Sequence, residues 1–253
     1  MSNSPNIYFV AGATRGIGLA LVAEIAAKDA SAFIYAGGRT PQAAPLLTSL
    51  ASKYPGRIVP VKYVAGDEEV NKSIASEIFA KHGRVDTVIA NAGIANVGDK
   101  IHEVAIKQFE DHFRVNVLGP IVLFQTFRDL LKSSAQPRFI VISSIAGSIE
   151  LIQMSPFDIG VYGTSKAALN WAVRKIHFEN EWLIAYPQCP GPVDTDMGVL
   201  AAAVDPAVYQ EMLKNHIRQP DVVAGMLFNI FSTSTREKDG GQFHSVEGGV
   251  HAW

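Results

Sequence analysis

Ala11-Gly12-Ala13-Thr14-Arg15-Gly16-Ile17-Gly18 follows a run of β-branched and aromatic residues over 7–11 and opens a segment in which Ile17, Leu21 and Ile25 recur four apart. The run predicts a buried strand, and the recurrence predicts a helix over 16–28. Gly12 permits a tight turn, Gly16 lets main-chain N–H groups approach an anion, and Gly18 lets helix and strand pack closely, while the helix N-terminus adds partial positive charge. With Thr14, Arg15 and Ile17 completing the turn, the stretch is read as a pyrophosphate cradle for a dinucleotide. Glycines alone would mark only a βα turn. The strand, the spacing and the helix together give the reading its weight.

Outward from this stretch, further apolar runs over 32–36, 58–64, 85–91, 139–143, 183–189 and 242–246 alternate with helix-period segments. That order predicts an α/β fold, a doubly wound, mostly parallel seven-stranded sheet (a Rossmann fold) in three α/β/α layers. No repeat or linker interrupts it, so residues 1–253 are expected to form a single domain. A chain of this length removes about two thirds or more of its unfolded surface from water, enough for a core without disulfide or metal. Pro187 lacks a ladder donor, and distortion of the sixth strand is expected there. The Ala-rich segment over 195–219 predicts a helical excursion across the carboxyl ends of the strands, placed as a lid.

Lys and Arg number 22 against 24 Asp and Glu, a net charge of −2. No basic block forms the face that nucleic acid requires, so no nucleic-acid partner is expected. Apolar stretches fall far short of the roughly 20 residues that cross a bilayer, and the first residues carry no basic or apolar leader. A soluble, cytoplasmic protein without a membrane partner is expected. The single cysteine, Cys189, is read as a core thiol, and the seven histidines show no metal-ligand spacing, so no metal site is expected.

The Gly12-x-x-x-Gly16-x-Gly18 spacing is joined by Asn91-Ala92-Gly93 after the fourth strand and Asn116 in the long helix that follows. Ser143-Ser144 comes after the fifth strand, then Tyr162-x-x-x-Lys166, then Pro190-Gly191-Pro192-Val193-Asp194-Thr195 after the sixth. Each motif is short, but in this order the set resembles the short-chain dehydrogenase/reductase family over nearly the whole chain. Within that family, the segments over 172–180 and 194–198 are similar to fungal norsolorinic-acid-type ketoreductases. Two positions depart from the family's pattern: Ala11 stands where Thr is common, and Val64 where an Asp often contacts adenine.

The second strand ends Tyr35-Ala36-Gly37-Gly38-Arg39-Thr40, with no carboxylate for a ribose 2′-hydroxyl. Arg39 can fork onto a 2′-phosphate with Arg15 approaching from the other side, which favours NADP(H). Tyr162 and Lys166, four apart, share a helix face, and an ammonium beside a phenol, together with an oxidised nicotinamide ring, favours the phenolate. The resemblance implies that Tyr162 exchanges a proton with the substrate oxygen, that Ser144 polarises that oxygen with Ser143 as the alternative, and that Lys166 holds the nicotinamide ribose. Asn116 would then hold a proton-relay water with Lys166. Asn91, Ala92 and Gly93 would support the sheet and the adenosine ribose, Pro190 and Gly191 would turn the chain, and Val193 and Thr195 would bind the carboxamide.

Ser144 and Tyr162 are 18 residues apart, against about a dozen expected in the family, which implies a longer substrate loop over 148–160. Leu151, Ile152, Met154 and Phe157 there, with Met197, Val199, Leu200 and Met212 in the lid, predict a roomy apolar pocket. The expected function is NADPH-dependent reduction of a ketone or aldehyde, a bulky aromatic or polyketide-type ketone among the candidates, by a homodimer or homotetramer. The alternatives are a catalytically idle NADP-binding sensor or structural protein, and an enzyme of the same fold acting on an imine, an epoxide or a double bond.

Overall fold

The computed structural model describes residues 4–96, 100–154, 158–198, 207, 210–211 and 217–253. Its centre is a seven-stranded parallel sheet in the order β3-β2-β1-β4-β5-β6-β7. The strands are β1 (Asn6–Ala11), β2 (Ala32–Gly38), β3 (Ile58–Lys62), β4 (Thr87–Ala90), β5 (Arg138–Ile142), β6 (Ile184–Cys189) and β7 (His244–Ser245). All seven fall on the expected runs. The helices are α1 (Gly16–Lys28), α2 (Pro45–Lys53), α3 (Glu68–His82), α4 (Ile106–His112), α5 (Gly119–Lys132), α6 (Gly160–Glu179), α7 (Pro220–Ser232) and the short α8 (Arg236–Asp239). None of the described helices is long and apolar enough to cross a membrane.

Alternation along β1 divides two cores. Tyr8 and Val10 pack with Leu21 and Ile25 of α1 and with Val223 and Leu227 of α7. Ile7 and Phe9 face the opposite side, among Ile74 and Ile78 of α3, Leu123 and Phe127 of α5, and Leu169 of α6. A strand covered on both faces must be apolar throughout, which is why these runs read as continuous. Phe9 contacts the rings of Tyr63 and Phe127 at centroid distances of 5.7 and 4.8 Å, so Phe9→Ala would cost about 3–5 kcal/mol.

Two expectations need correction. Pro187 does not distort β6, which stays in register with β5 through Val141↔Pro187. Ala185 O accepts from Gly241 N–H on one edge while Gln188 O accepts from Ser143 N–H on the other, so the nitrogen of Pro187 faces the β7 edge. There β7 begins pairing only at Gln188↔His244, and no ladder donor is lost. The helix carrying Asn116 is also not uniform: α4 and α5 are joined by a π turn, Phe113–Leu118, with helical dihedrals at both junctions. The sheet order reverses between β1 and β4, and the crevice at their carboxyl ends is where ligands bind in such sheets.

Candidate active site

The glycine turn leaves β1 with Gly12 at φ +72° and Gly16 at φ +53°, left-handed conformations that only glycine adopts at little cost. A Cβ on Gly18 would lie 2.2 Å from Gly12 O, and one on Gly12 would lie 2.9 Å from Ala92 Cα. Asn91, just past β4, donates its side-chain amide to Ala11 O and Gly12 O at 3.2 and 3.1 Å and so ties the turn to the centre of the sheet. Arg15 stands at the N-cap of α1 without a capping side-chain bond, and no acid occupies the first turn. The N–H groups there are left to an external anion. This backbone cradle fits a pyrophosphate.

At the end of β2, Thr14 packs against Gly38 so closely that a Cβ on Gly38 would lie 2.4 Å from its methyl. Arg39 is exposed at the cleft edge and has no ion pair among the described residues. Arg15 also lines the cleft, and its exposed guanidinium pairs with Asp196, on the chain leaving β6.

Ser143 and Ser144 end β5. Ser143 is buried, its hydroxyl donated to Asn170 of α6. Ser144 starts a 3-10 turn, Ile145–Gly147, where its Oγ accepts from Ala146 N–H at 3.2 Å, and its hydroxyl also interacts with the Tyr162 phenol. Lys166, only 5% exposed, reaches back to donate to Ile142 O at 2.8 Å, with Nζ 5.6 Å from the centre of the Tyr162 ring. Close packing brings these groups together: a Cβ on Gly147 would lie 2.6 Å from the Lys166 main chain.

Burial works against the phenolate that a nearby ammonium favours. Burial pushes Tyr162 up to about 12, more than the Ser144 hydrogen bond lowers it, and burial draws Lys166 down to about 8. Desolvation disfavours both charged forms, so the phenol is neutral near pH 7.

Asn116, 1% exposed in the π turn, makes three side-chain hydrogen bonds within the protein. Its Oδ1 accepts from Ile94 N–H, and its Nδ2 donates to Ile94 O and Ser165 Oγ, all at 2.9–3.0 Å. Ser165 in turn donates to Tyr162 O at 2.7 Å. The side chain therefore joins the segment beyond Gly93 to the helix that carries Tyr162.

After β6, Pro190 leads into Gly191 at φ +67°. Val193 then pairs with Arg218 across a parallel bridge, and Asp194 accepts from the Gln219 amide. Thr195 Oγ1 accepts from Gly198 N–H at 3.3 Å, and its methyl would lie 3.3 Å from a Cβ on Gly16. Of the proposed lid, only 195–198, 207, 210–211 and 217–219 are described, so Val199, Leu200 and Met212 lie outside the described residues. Phe157 does too, as does the side chain of Met154.

These elements bound a cleft of about 1720 Å³, and every sequence-predicted site residue except the buried Gly18 and Asn116 lines it. Ile149, Ile152 and Ile101 add exposed apolar side chains around its mouth. Sequence reasoning missed Ser165, Asn170 and Ile94. The hydroxyl-rich stretch Tyr162-Gly163-Thr164-Ser165-Lys166 was a signal for the first, whereas the others show only through contacts.

The short chain dehydrogenase family model matches residues 6–203. An uncharacterised oxidoreductase of Schizosaccharomyces pombe is 31% identical over 245 residues, covering 95% of either chain. The norsolorinic acid ketoreductase of Emericella nidulans is 34% identical over 206 residues, covering 79% of this chain and 78% of its own. The NADPH-bound carbonyl reductase from chicken fatty liver superposes with a TM-score of 0.86 at 29% identity, over 99% of this chain and 100% of the other. By its glycine turn, its sheet and these matches, the chain belongs to the short-chain dehydrogenase/reductase family of oxidoreductases.

Proposed function

We propose that the protein is an NADPH-dependent carbonyl reductase whose proton donor is Tyr162. The observation that carries the reading is the convergence of the Tyr162 phenol, the Ser144 hydroxyl and Lys166 at the carboxyl end of β5, beside the glycine turn in one cleft. The similarity to a norsolorinic acid ketoreductase and to an NADPH-bound carbonyl reductase supports it. The nicotinamide cofactor, when bound, supplies the hydride. Its pyrophosphate would lie on the main chain of Gly12, Thr14, Arg15, Gly16 and Ile17, its 2′-phosphate by Arg39, its adenosine ribose by Asn91, Ala92 and Gly93, its nicotinamide ribose by Lys166, and its carboxamide by Val193 and Thr195.

The chain's own residues do the rest. Ser144 donates a hydrogen bond to the substrate carbonyl oxygen and fixes its orientation. Tyr162, neutral in this pocket, gives its proton to the same oxygen. Lys166 stabilises the phenolate left behind. Asn116 holds Tyr162 in place through Ser165. A phenol that keeps its proton at neutral pH has one to donate to a carbonyl oxygen, and the isoleucines at the cleft mouth favour a bulky, largely apolar ketone.

The reading takes residues 1–253 as one domain in an aqueous, reducing compartment. It takes the protein as a homo-oligomer paired through α5 and α6, where Trp171 and Phe178 are 68% and 60% exposed. NADPH consumption over a panel of ketones, repeated with Tyr162→Phe, tests the function. Turnover should fall at least about a hundredfold while NADPH binding persists; undiminished turnover would transfer the proton to another group.

A further inference from the structure

We propose that Trp253 is a positioning residue that braces the substrate loop over 148–152 and thereby selects ketones by size; the selection rests on the carbonyl-reductase reading. Ser148 Oγ accepts from Leu151 N–H at 3.1 Å and closes the base of the loop. At its outer side, Glu150 N–H donates to the main-chain oxygen of Trp253 at 2.9 Å. The indole of the same residue is held on two sides. The Arg174 guanidinium of α6 lies 4.5 Å from its ring centre, and the Phe243 ring, fully buried, lies 5.8 Å away and 30° from parallel. Phe243 O also accepts from His251 N–H at 2.7 Å, and His244 pairs with Val250 across an antiparallel bridge, so the segment over 250–253 is folded back onto the core.

The loop so held presents Ile149 and Ile152 to the cleft at 75% and 66% exposure. Side chains this apolar and this open form a wall that a ligand reaching the mouth would cover. A small ketone at Ser144 and Tyr162 stops short of that wall. A bulky aromatic ketone meets it, and its affinity then depends on where Trp253 holds Glu150.

The test combines hydrogen exchange with kinetics on one small and one bulky aromatic ketone. In Trp253→Ala the amide of Glu150 should exchange about fivefold faster or more, the loss expected of one hydrogen bond. KM for the bulky ketone should rise by a similar factor while kcat and KM for the small ketone hold. Arg174→Ala should fall between, and Trp253→Phe, which keeps a ring on Phe243, should restore the wild-type ratio. NADPH affinity, read by fluorescence, reports that each variant folds. Unchanged exchange at Glu150 overturns the brace, and equal loss on both ketones overturns the size selection. A wild-type protein that reduces neither ketone removes the carbonyl reading and the selection with it, while exchange still decides the brace by itself.

Discussion

The Ser143 hydroxyl donates to Asn170 Oδ1 over 2.5 Å, inside the packing of β5 against α6. Its neighbour Ser144 faces Tyr162 instead. The two serines therefore separate by effect. Ser144→Ala should cut turnover by about a hundredfold with little change in melting temperature. Ser143→Ala leaves a buried amide oxygen unpaired and should cost about 1–3 kcal/mol of stability. Steady-state kinetics and urea unfolding of both variants check the assignment; reversed effects would move the substrate contact to Ser143.

Arg15 and Asp196 are 68% and 73% exposed, so their pair contributes little, about 0.2–1 kcal/mol. That is small beside a charge-assisted contact to phosphate. Arg39→Ala should weaken NADPH by about tenfold and leave NADH nearly unchanged. Asp196→Asn frees Arg15 and should tighten NADPH by about twofold. Fluorescence titrations with the two nucleotides measure both shifts.

Lys166 is drawn down to about 8 by burial, so its ammonium is lost as pH rises through that value. If it holds the cofactor, the Kd for NADPH should rise by about tenfold between about pH 7 and pH 9. Lys166→Met should bind weakly with no such dependence. The linkage runs opposite for folding: the unfolded chain keeps this proton to higher pH, so stability should rise with pH above 8 as the buried charge disappears.

Gly18→Ala places a methyl against Gly12 O, a main-chain atom that cannot swing aside. The variant should lose about 2 kcal/mol of stability together with most of its NADPH affinity, because the glycine turn must shift to admit the methyl. Thermal unfolding and nucleotide titration together show whether both losses occur.

The layers were legible because strands buried on both faces leave unbroken apolar runs, and the first strand, turn and helix because glycine spacing has a steric meaning. The π turn at Asn116 left no trace, since an i→i+5 bond imposes no residue pattern. Pro187 misled because its cost depends on which edge its nitrogen faces, a matter of register with β5 and β7. The burial that opposes the Tyr162 phenolate was hidden for a related reason. Four-residue spacing reveals a nearby ammonium, but how much water the fold removes from both groups is set by distant residues such as Ile142 and Gly147. The pairing of Arg15 with Asp196, 181 residues away, has no local sequence signal either.

The bridge between Val193 and Arg218, with Asp194 N–H donating to Arg218 O at 2.9 Å, fastens the chain leaving β6 to the residues that enter α7. The ends of β6 and α7 are thereby tied to each other directly, without help from the sequence between them. Substrate preference can change in that sequence while the proton-transfer groups on β5 and α6 keep their places.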